Sequence, residues 1–508
     1  MSARRPTFLP YSLPICMAVL LAGCAVGPDD HRPSAPVPAT YKEAAGWKPA
    51  APGDATERGA WWAVFHDPVL DDLEQQAAEA NQTLAQAVAN YEAARQLARA
   101  DHATLWPTLS LSGSGQRAKA GGGRTSSSVS SGTGGTTSVS SSSGKPTNSF
   151  SASLGASWTP DFWGRVRRQT EADVATAQAS AADLATARLS MQSSLAQDYL
   201  DLRIADERIR LRQNAVEAYR RTLAIAENKY KVGIAARSDV ISAQAQLDAA
   251  RAQVIDASVQ RAQLEHAIAV LVGKAPGGFT LTPLPVLAST VPSVPAQLPA
   301  ELLERRPDIA SAERAVAAAN ARVGVQKSAY FPTVSLSADG GYEGSVIRQL
   351  FNAPNRFWSV GGNLADTLFD FGRRGAEMAQ VRAAYEGSVA GYRSATLRAF
   401  QEVEDNLSSL RLLEEEAKVQ DAAVTEASDA ARIALNEYNA GTVDFTTVVT
   451  AQVNELTDRQ TALTILQGRL AAAVGLIQAI GGGWSTSDLP ASSQVFARDA
   501  ANSSAPAR

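Results

Sequence analysis

Leu105-Trp106-Pro107-Thr108-Leu109-Ser110-Leu111-Ser112 recurs as Tyr330-Phe331-Pro332-Thr333-Val334-Ser335-Leu336-Ser337, 225 residues further along the chain. A second match, Trp163-Gly164-Arg165 with Phe371-Gly372-Arg373, has an offset of 208, and the same 208 aligns Tyr230, Gly233, Val240, Ala243, Gln244 and Arg251 with Tyr438, Gly441, Val448, Ala451, Gln452 and Arg459. Self-similarity in a fixed order means one structural unit used twice, so the chain reads as a tandem duplication. The offset drops by 17 between the two matches, and Gly121 to Ser143, all Gly, Ser or Thr except Arg124, Val129 and Val139, accounts for the extra residues of the first copy. That composition cannot bury a core and predicts a mobile loop.

Around these matches both copies predict the same order of elements. A first helix is expected over about 71–104 and 301–328; Asp308, directly after Pro307, fits a helix start. Short alternating segments follow. In Phe150-Ser151-Ala152-Ser153-Leu154-Gly155-Ala156-Ser157-Trp158 every second residue is apolar and the rest are Ser or Gly, the period of a strand with one oily face. The pattern is weaker over 108–112, 333–338 and 358–364. From Arg165 to Val232 there are 68 residues without glycine or proline, ended by Gly233. As a helix this stretch is roughly 100 Å long, a rod no globular domain needs. The second copy repeats it over Arg373 to Ala440, ended by Gly441, with Gly375, Gly387 and Gly391 softening its first turns. Return helices are expected over about 238–271 and 446–480. Pro276, Pro283, Pro285, Pro292, Pro295 and Pro299 mark a linker between the copies.

The 508 residues are 45% hydrophobic and 19% charged, ordinary for a folded chain, but aromatics are only 6%. Much of the apolar fraction is alanine, which suits closely packed helices. With 47 basic and 51 acidic residues the net charge is -4, so nucleic acid is not expected as a partner. Both cysteines, Cys16 and Cys24, fall in the first 24 residues, which excludes a disulfide framework or thiolate cluster from the body. Arg4 and Arg5 precede an apolar stretch from Phe8 to Leu21 broken by Pro10 and Pro14, the layout of a secretory leader. Its end, Leu21-Ala22-Gly23-Cys24, resembles a bacterial lipobox, with cleavage before Cys24 and acylation of that residue; a plain signal peptide with a chance cysteine is the alternative. The leader holds two basic and no acidic residues, so the mature balance is 45 against 51, or -6. Ala25, rather than an aspartate, implies the outer membrane, and several acyl chains on one residue make a stable anchor. No other segment is expected to span as an apolar helix.

Four strands per chain are too few to close a barrel, and open edges are not tolerated in lipid. Two chains would give eight strands and a filled interior; three would give twelve and leave a lumen. Alanine-rich rods joined to the strands would continue the wall as a tube of coiled coils. Here the chain resembles the TolC family of outer-membrane channels, and more narrowly its OprM/NodT-like outer-membrane factor lipoproteins. Trp61-Trp62, Phe65, Asp67-Pro68, Leu70, Leu73 and Asn81 resemble the N-terminal signature of that branch. Leu302-Leu303-Glu304-Arg305-Arg306-Pro307-Asp308-Ile309, with Glu313-Arg314 and Ala318-Ala319-Asn320-Ala321-Arg322, resembles its internal one.

The resemblance implies an α+β membrane protein: a homotrimer with a twelve-stranded outer-membrane β-barrel, four strands per chain, continued by a long α-helical coiled-coil periplasmic tunnel. It implies a periplasmic adaptor and an inner-membrane efflux pump as partners, and no cofactor beyond the lipid on Cys24. The chain then divides into a leader (1–23), an N-terminal equatorial segment (24–70), a first repeat (71–273), a linker (274–300), a second repeat (301–481) and a C-terminal equatorial tail (482–508).

In the family the turns that reverse the rods are Val-Gly-Leu-like adaptor contacts. The matching residues are Val232-Gly233-Ile234-Ala235 and Ala440-Gly441-Thr442-Val443, whose glycines also read as left-handed helix stops. A tyrosine before the second turn and an aspartate after the first hold the aperture closed in relatives; the matches are Tyr438 and Asp239, and the alternative role for Asp239 is to cap the return helix. Where relatives carry an acidic ring this chain has Thr447 and Thr450, with Asp444 the nearest acid. Val443 replaces an arginine that braces some relatives.

Enzymatic readings find no support. His31, His66, His102 and His266 have no companion at metal-ligand spacing, the Gly-Ser tract lacks the ending of a phosphate loop, and Glu414-Glu415-Glu416 reads as a solvated helix face. The competing reading is a periplasmic coiled-coil adaptor or scaffold lipoprotein, which should have one helical hairpin flanked by compact β-domains.

Overall fold

The computed structural model describes residues 26–35, 37–38, 41–43, 60–119, 146–284, 291–292 and 304–497. Cys24, most of the linker and the Gly-Ser tract lie outside the described residues. The chain is mainly helical, with one four-stranded antiparallel sheet.

In chain order the elements are α1 (Pro68–Ala80), α2 (Gln82–Ala103), β1 (Thr108–Ala118), β2 (Thr147–Trp158), α3 (Arg165–Lys231), α4 (Arg237–Leu271), α5 (Pro307–Ser328), β3 (Thr333–Gly344), β4 (Arg356–Ala365), α6 (Arg373–Ala440), α7 (Phe445–Ala479) and the short α8 (Ser492–Phe496). Both halves share the order helix, strand pair, long helix and return helix, and the first half begins with an additional helix, α1. The long helices have 67 and 68 residues, and the return helices 35 each.

Two expectations need correction, and a third needs a physical reason. The first helix is two, because Asn81 takes an extended conformation (φ -67°, ψ 123°). Its side chain donates to the Leu271 carbonyl at 2.8 Å and accepts from the Leu84 amide at 2.9 Å, capping α2 in place of a continuous helix. The strands run well past their alternating cores, since the ladders continue through Gly113, Gly340 and Gly341, where side-chain alternation cannot be read. Finally, α7 is by length and composition apolar enough to cross a membrane; instead its Leu470, Val474, Leu476 and Ile477 pack into the chain's own core.

Two compact units result, each drawing on both sequence copies. One gathers Gln96–Val174 and Ala318–Tyr385 and holds the sheet, in the order β1-β2-β3-β4. The other gathers His31–Arg95, Ala175–Ala317 and Glu386–Arg508. Its main core sets Leu70 and Leu73 of α1 against Leu195, Tyr199 and Leu202 of α3, Phe400, Val403 and Leu407 of α6, and α7. The spacings i, i+3/i+4, i+7 put each set on one helix face. A second cluster lies near the ends of the long helices: Tyr219, Leu223 and Ala226 of α3, Ala243, Leu247 and Ala250 of α4, Ala434 and Tyr438 of α6, and Phe445 and Val448 of α7. Fully buried Ala226 lets the backbones approach closely.

Candidate functional site

The two long helices end on the same device. Gly233 (φ +77°) and Gly441 (φ +82°) adopt the left-handed conformation that costs glycine nothing. Ile234 N donates to Lys229 O at 2.9 Å and Gly233 N to Tyr230 O at 3.0 Å; Thr442 N donates to Glu437 O and Gly441 N to Tyr438 O, both at 3.0 Å. Carbonyls that the helix ends would leave unpaired are thereby satisfied. The turns project their side chains: Val232 is 68% and Ile234 74% exposed, and Ala440, Gly441 and Thr442 are exposed too.

Beside these turns Tyr438 is buried, its ring edge-to-face with Phe445 at 5.4 Å. The hydrogen bond expected between Tyr438 and Asp239 is not made. Tyr438 Oη is buried without a hydrogen-bond partner among the described residues, while Asp239, in the first turn of α4, accepts from Ser238 Oγ at 3.3 Å. The cap residue of α4 is Ala236, so Asp239 does not cap it. Burial, and then the negative charge of Asp239, push the Tyr438 hydroxyl above its ordinary pKa. What holds Tyr438 instead is Lys229 of α3, which the sequence reading passed over: its ammonium lies 4.0 Å from the ring centroid and donates to the Tyr438 carbonyl.

Asp444 is the cap of α7. Its Oδ1 accepts from Thr447 N at 3.0 Å and Thr447 Oγ1 at 2.8 Å, and these two bonds hold its carboxyl below the usual carboxylate range. Thr450 Oγ1 returns to the Thr446 carbonyl at 2.9 Å. Asp444, Thr447 and Thr450 line one open groove of about 770 Å³, together with Glu426, Asn454 and Asp458. The threonine hydroxyls are thus spent on the helix, and the negative charge of the groove rests on its three carboxylates. No cluster of His, Cys, Asp or Glu suited to a metal occurs among the described residues.

The sheet is the second functional surface. Its register aligns the period-two pattern across all four strands: Leu111 faces Leu154, Ala156 faces Ala338, Trp158 faces Leu336, and Ala338 faces Val360. One face therefore carries leucine, valine, alanine and tryptophan. On the other, Ser112 meets Ser153 and Ser114 meets Ser151, each pair at 2.8 Å between hydroxyl oxygens. In a soluble sandwich the oily face is covered. Here Leu111 is 84%, Trp358 78% and Val360 74% exposed. Trp106, Tyr330, Trp358 and Phe371, near the strand ends, are also exposed, while Trp163 stacks on Phe331 at 4.8 Å.

Comparison with known proteins gives the family and the fold. The model of the outer membrane efflux protein family matches residues 73–274 and 298–482. The efflux pump outer membrane protein TtgC of Pseudomonas putida is 30% identical over 470 residues, covering 92% of this chain and 94% of that one. The pyoverdine export outer membrane protein OpmQ of Pseudomonas aeruginosa is 31% identical over 474 residues, covering 92% and 96%. The solved structure of the outer-membrane channel OprN superposes with a TM-score of 0.81 at 28% identity, covering 91% of this chain and all of that one. A long-helix chain with a strand pair in each half, an uncovered oily sheet face and matched length throughout belongs to the outer membrane efflux protein family.

Proposed function

We propose that this chain is the passive exit duct of a tripartite efflux system: a homotrimer whose three sheets close a twelve-stranded barrel in the outer membrane, with the α3–α4 and α6–α7 hairpins forming a periplasmic tunnel gated at the glycine turns. The observation that carries this reading is the uncovered apolar face running across β1 to β4, opposite a face of serine, glycine and Asp339. Lipid covers the first face and a water-filled lumen the second, the alternation required of a membrane barrel. Strands β1 and β4 each pair on one side only among the described residues; pairing β4 of one copy with β1 of the next removes every edge.

The helices support the same assembly. Leu412 and Val419 of α6 stand seven residues apart and are exposed, a short seam that a neighbouring helix of the trimer would cover. The long helices of 67 and 68 residues and the return helices of 35 residues each support the tandem duplication. The exposed turns at Gly233 and Gly441 are the surfaces offered to a periplasmic adaptor, which joins the channel to an inner-membrane pump; the pump supplies energy and substrate choice. Acylation of Cys24 adds a lipid anchor. A one-hairpin adaptor would lack the second strand pair and the second rod.

The test is direct. Outer-membrane fractions should contain heat-resistant trimers, and the purified protein should give discrete conductance steps in planar bilayers. A soluble monomer without conductance overturns the reading. Cys24→Ser should abolish acylation and leave assembly intact, because the barrel is itself an anchor.

A further inference from the structure

We propose that Lys229 is the latch of the tip: a positioning residue on the first long helix that grips Tyr438 on the second and ties the two hairpins together in the closed channel. The proposal rests on the reading of the turns as the gate and names the contact that holds it.

The grip has two parts. The Lys229 ammonium stands 4.0 Å from the centre of the Tyr438 ring, where the negative face of the ring attracts a cation, most strongly once water is excluded. The same ammonium donates to the Tyr438 carbonyl. That oxygen also accepts from Gly441 N at 3.0 Å, so its two acceptor sites are shared between the glycine turn of its own hairpin and a lysine of the other. It belongs to the last carbonyls of α6, at the negative end of that helix. Phe445, edge-on at 5.4 Å, closes off the ring. Tyr438 therefore cannot swing away from Lys229 without disturbing the turn that reverses α6 into α7.

The internal repeat isolates this residue. At the offset of 208, Lys229 corresponds to Glu437 and Tyr230 to Tyr438. The bonds from Gly233 N and Ile234 N at the first turn correspond to those from Gly441 N and Thr442 N at the second, yet the side chains do not. Glu437 is exposed and Tyr230 is 46% exposed. The reciprocal contact, a carboxylate over a tyrosine face, would be repulsive, since the face of the ring is negative. A lysine near the end of α3 would interact favourably with the dipole of that helix alone, and exposed Lys231 is placed to do so. Lys229 instead reaches across to α6. Opposite charges at equivalent positions of one repeated unit make the contact run in one direction only, from the first hairpin to the second.

The experiment compares single-channel records of Lys229→Met, which keeps the stem and loses the cation, with Lys229→Arg, which keeps a cation and donors. Heat-resistant trimers report assembly. Lys229→Met should raise the open-to-closed ratio about tenfold, equivalent to about 1.4 kcal/mol. Lys229→Arg should restore the wild-type ratio, and Lys229→Met should open Tyr438→Leu by less than it opens the wild type, because leucine leaves only the main-chain carbonyl for the ammonium to hold. A wild-type ratio in intact Lys229→Met trimers overturns the latch, as does loss of trimers in both lysine variants, which would assign Lys229 to assembly.

A Thr442→Cys protein labelled with a bulky maleimide separates the latch from the gate, since the mature lipidated chain has no other free thiol. If the label blocks current while Lys229→Met behaves as wild type, the aperture is at the tip and only the latch fails. If the label leaves current unchanged, the tip is not the aperture and both readings fall.

Discussion

Arg306 Nη1 lies 2.7 Å from Glu402 Oε2, which joins the residue just before α5 to the middle of α6. The same guanidinium donates to Asp308 through Nε at 3.0 Å and Nη2 at 2.7 Å, and to the Ala479 carbonyl at 2.9 Å. One buried fork thus binds the start of α5, the side of α6 and the end of α7, using the planar geometry that only arginine has. This gives Arg306 and Asp308 of the internal signature a mechanical role in the body of the chain.

Replacing Arg306 with methionine leaves two carboxylates and a carbonyl without their donor. Because Asp308 and Glu402 are partly exposed, water recovers part of the loss, and the expected cost is about 2 kcal/mol. Lysine should recover little of it, since a single ammonium cannot span three acceptors in one plane. Thermal unfolding of detergent-solubilised trimers measures both variants, and an unchanged midpoint in Arg306→Met would refute the assignment.

Glu74 is the opposite case, a buried acid with nothing to hold. Both of its carboxyl oxygens lack a hydrogen-bond partner among the described residues, and burial pushes the group up to about 9. The folded chain keeps this proton over the interval from the ordinary value of 4.5 to about 9, where the unfolded chain has released it. Stability is therefore greatest below that window and falls as the pH rises through it. Glu74→Gln should flatten this slope and raise the unfolding midpoint at the alkaline end; a slope identical to wild type would show that the carboxyl ionises freely.

How much of this was legible beforehand depended on whether a residue acts within its own segment. Gly233 and Gly441 fixed the ends of α3 and α6 because a left-handed stop is a local event. The strand around Leu154 and its oily face were legible from alternation, but the register was not, and glycines such as Gly341 erase the pattern further along. Asn81 broke a helix through the carbonyl of Leu271, 190 residues away, and Lys229 acts on a residue 209 away. The Asn81 cap on the Leu84 amide is a local event, but its bond to Leu271 and the reach of Lys229 have no local signature. For Lys229 the one available sign was its charge opposite to that of Glu437 in an otherwise matching repeat.

Neighbouring residues of β4 test the two faces of the sheet. Val360 points to the apolar side, and Ser359 faces Asp339 on the polar side. Val360→Arg would put a cation in the hydrocarbon at a cost of about 2–4 kcal/mol near the bilayer midplane. Ser359→Arg gains a carboxylate opposite and stays in water. The yield of heat-resistant trimers in outer-membrane fractions should fall for the first and hold for the second. Equal yields would mean that lipid does not cover the apolar face.

Asp444 separates a structural role from an electrostatic one. Its side chain caps α7 through the Thr447 amide and hydroxyl, and its removal in Asp444→Ala should loosen the first turn of that helix. Asparagine caps as well as aspartate but carries no charge. Asp444→Asn should therefore leave the α7 start intact while removing one of the three carboxylates that line the groove with Thr447 and Thr450. Reversal potentials measured in a salt gradient should move toward zero in Asp444→Asn, because fewer fixed negative charges attract cations to the groove. In Asp444→Ala the same shift should come with noisier, less uniform conductance steps as the first turn of α7 frays. A reversal potential unchanged in both variants would place any cation preference of the channel elsewhere.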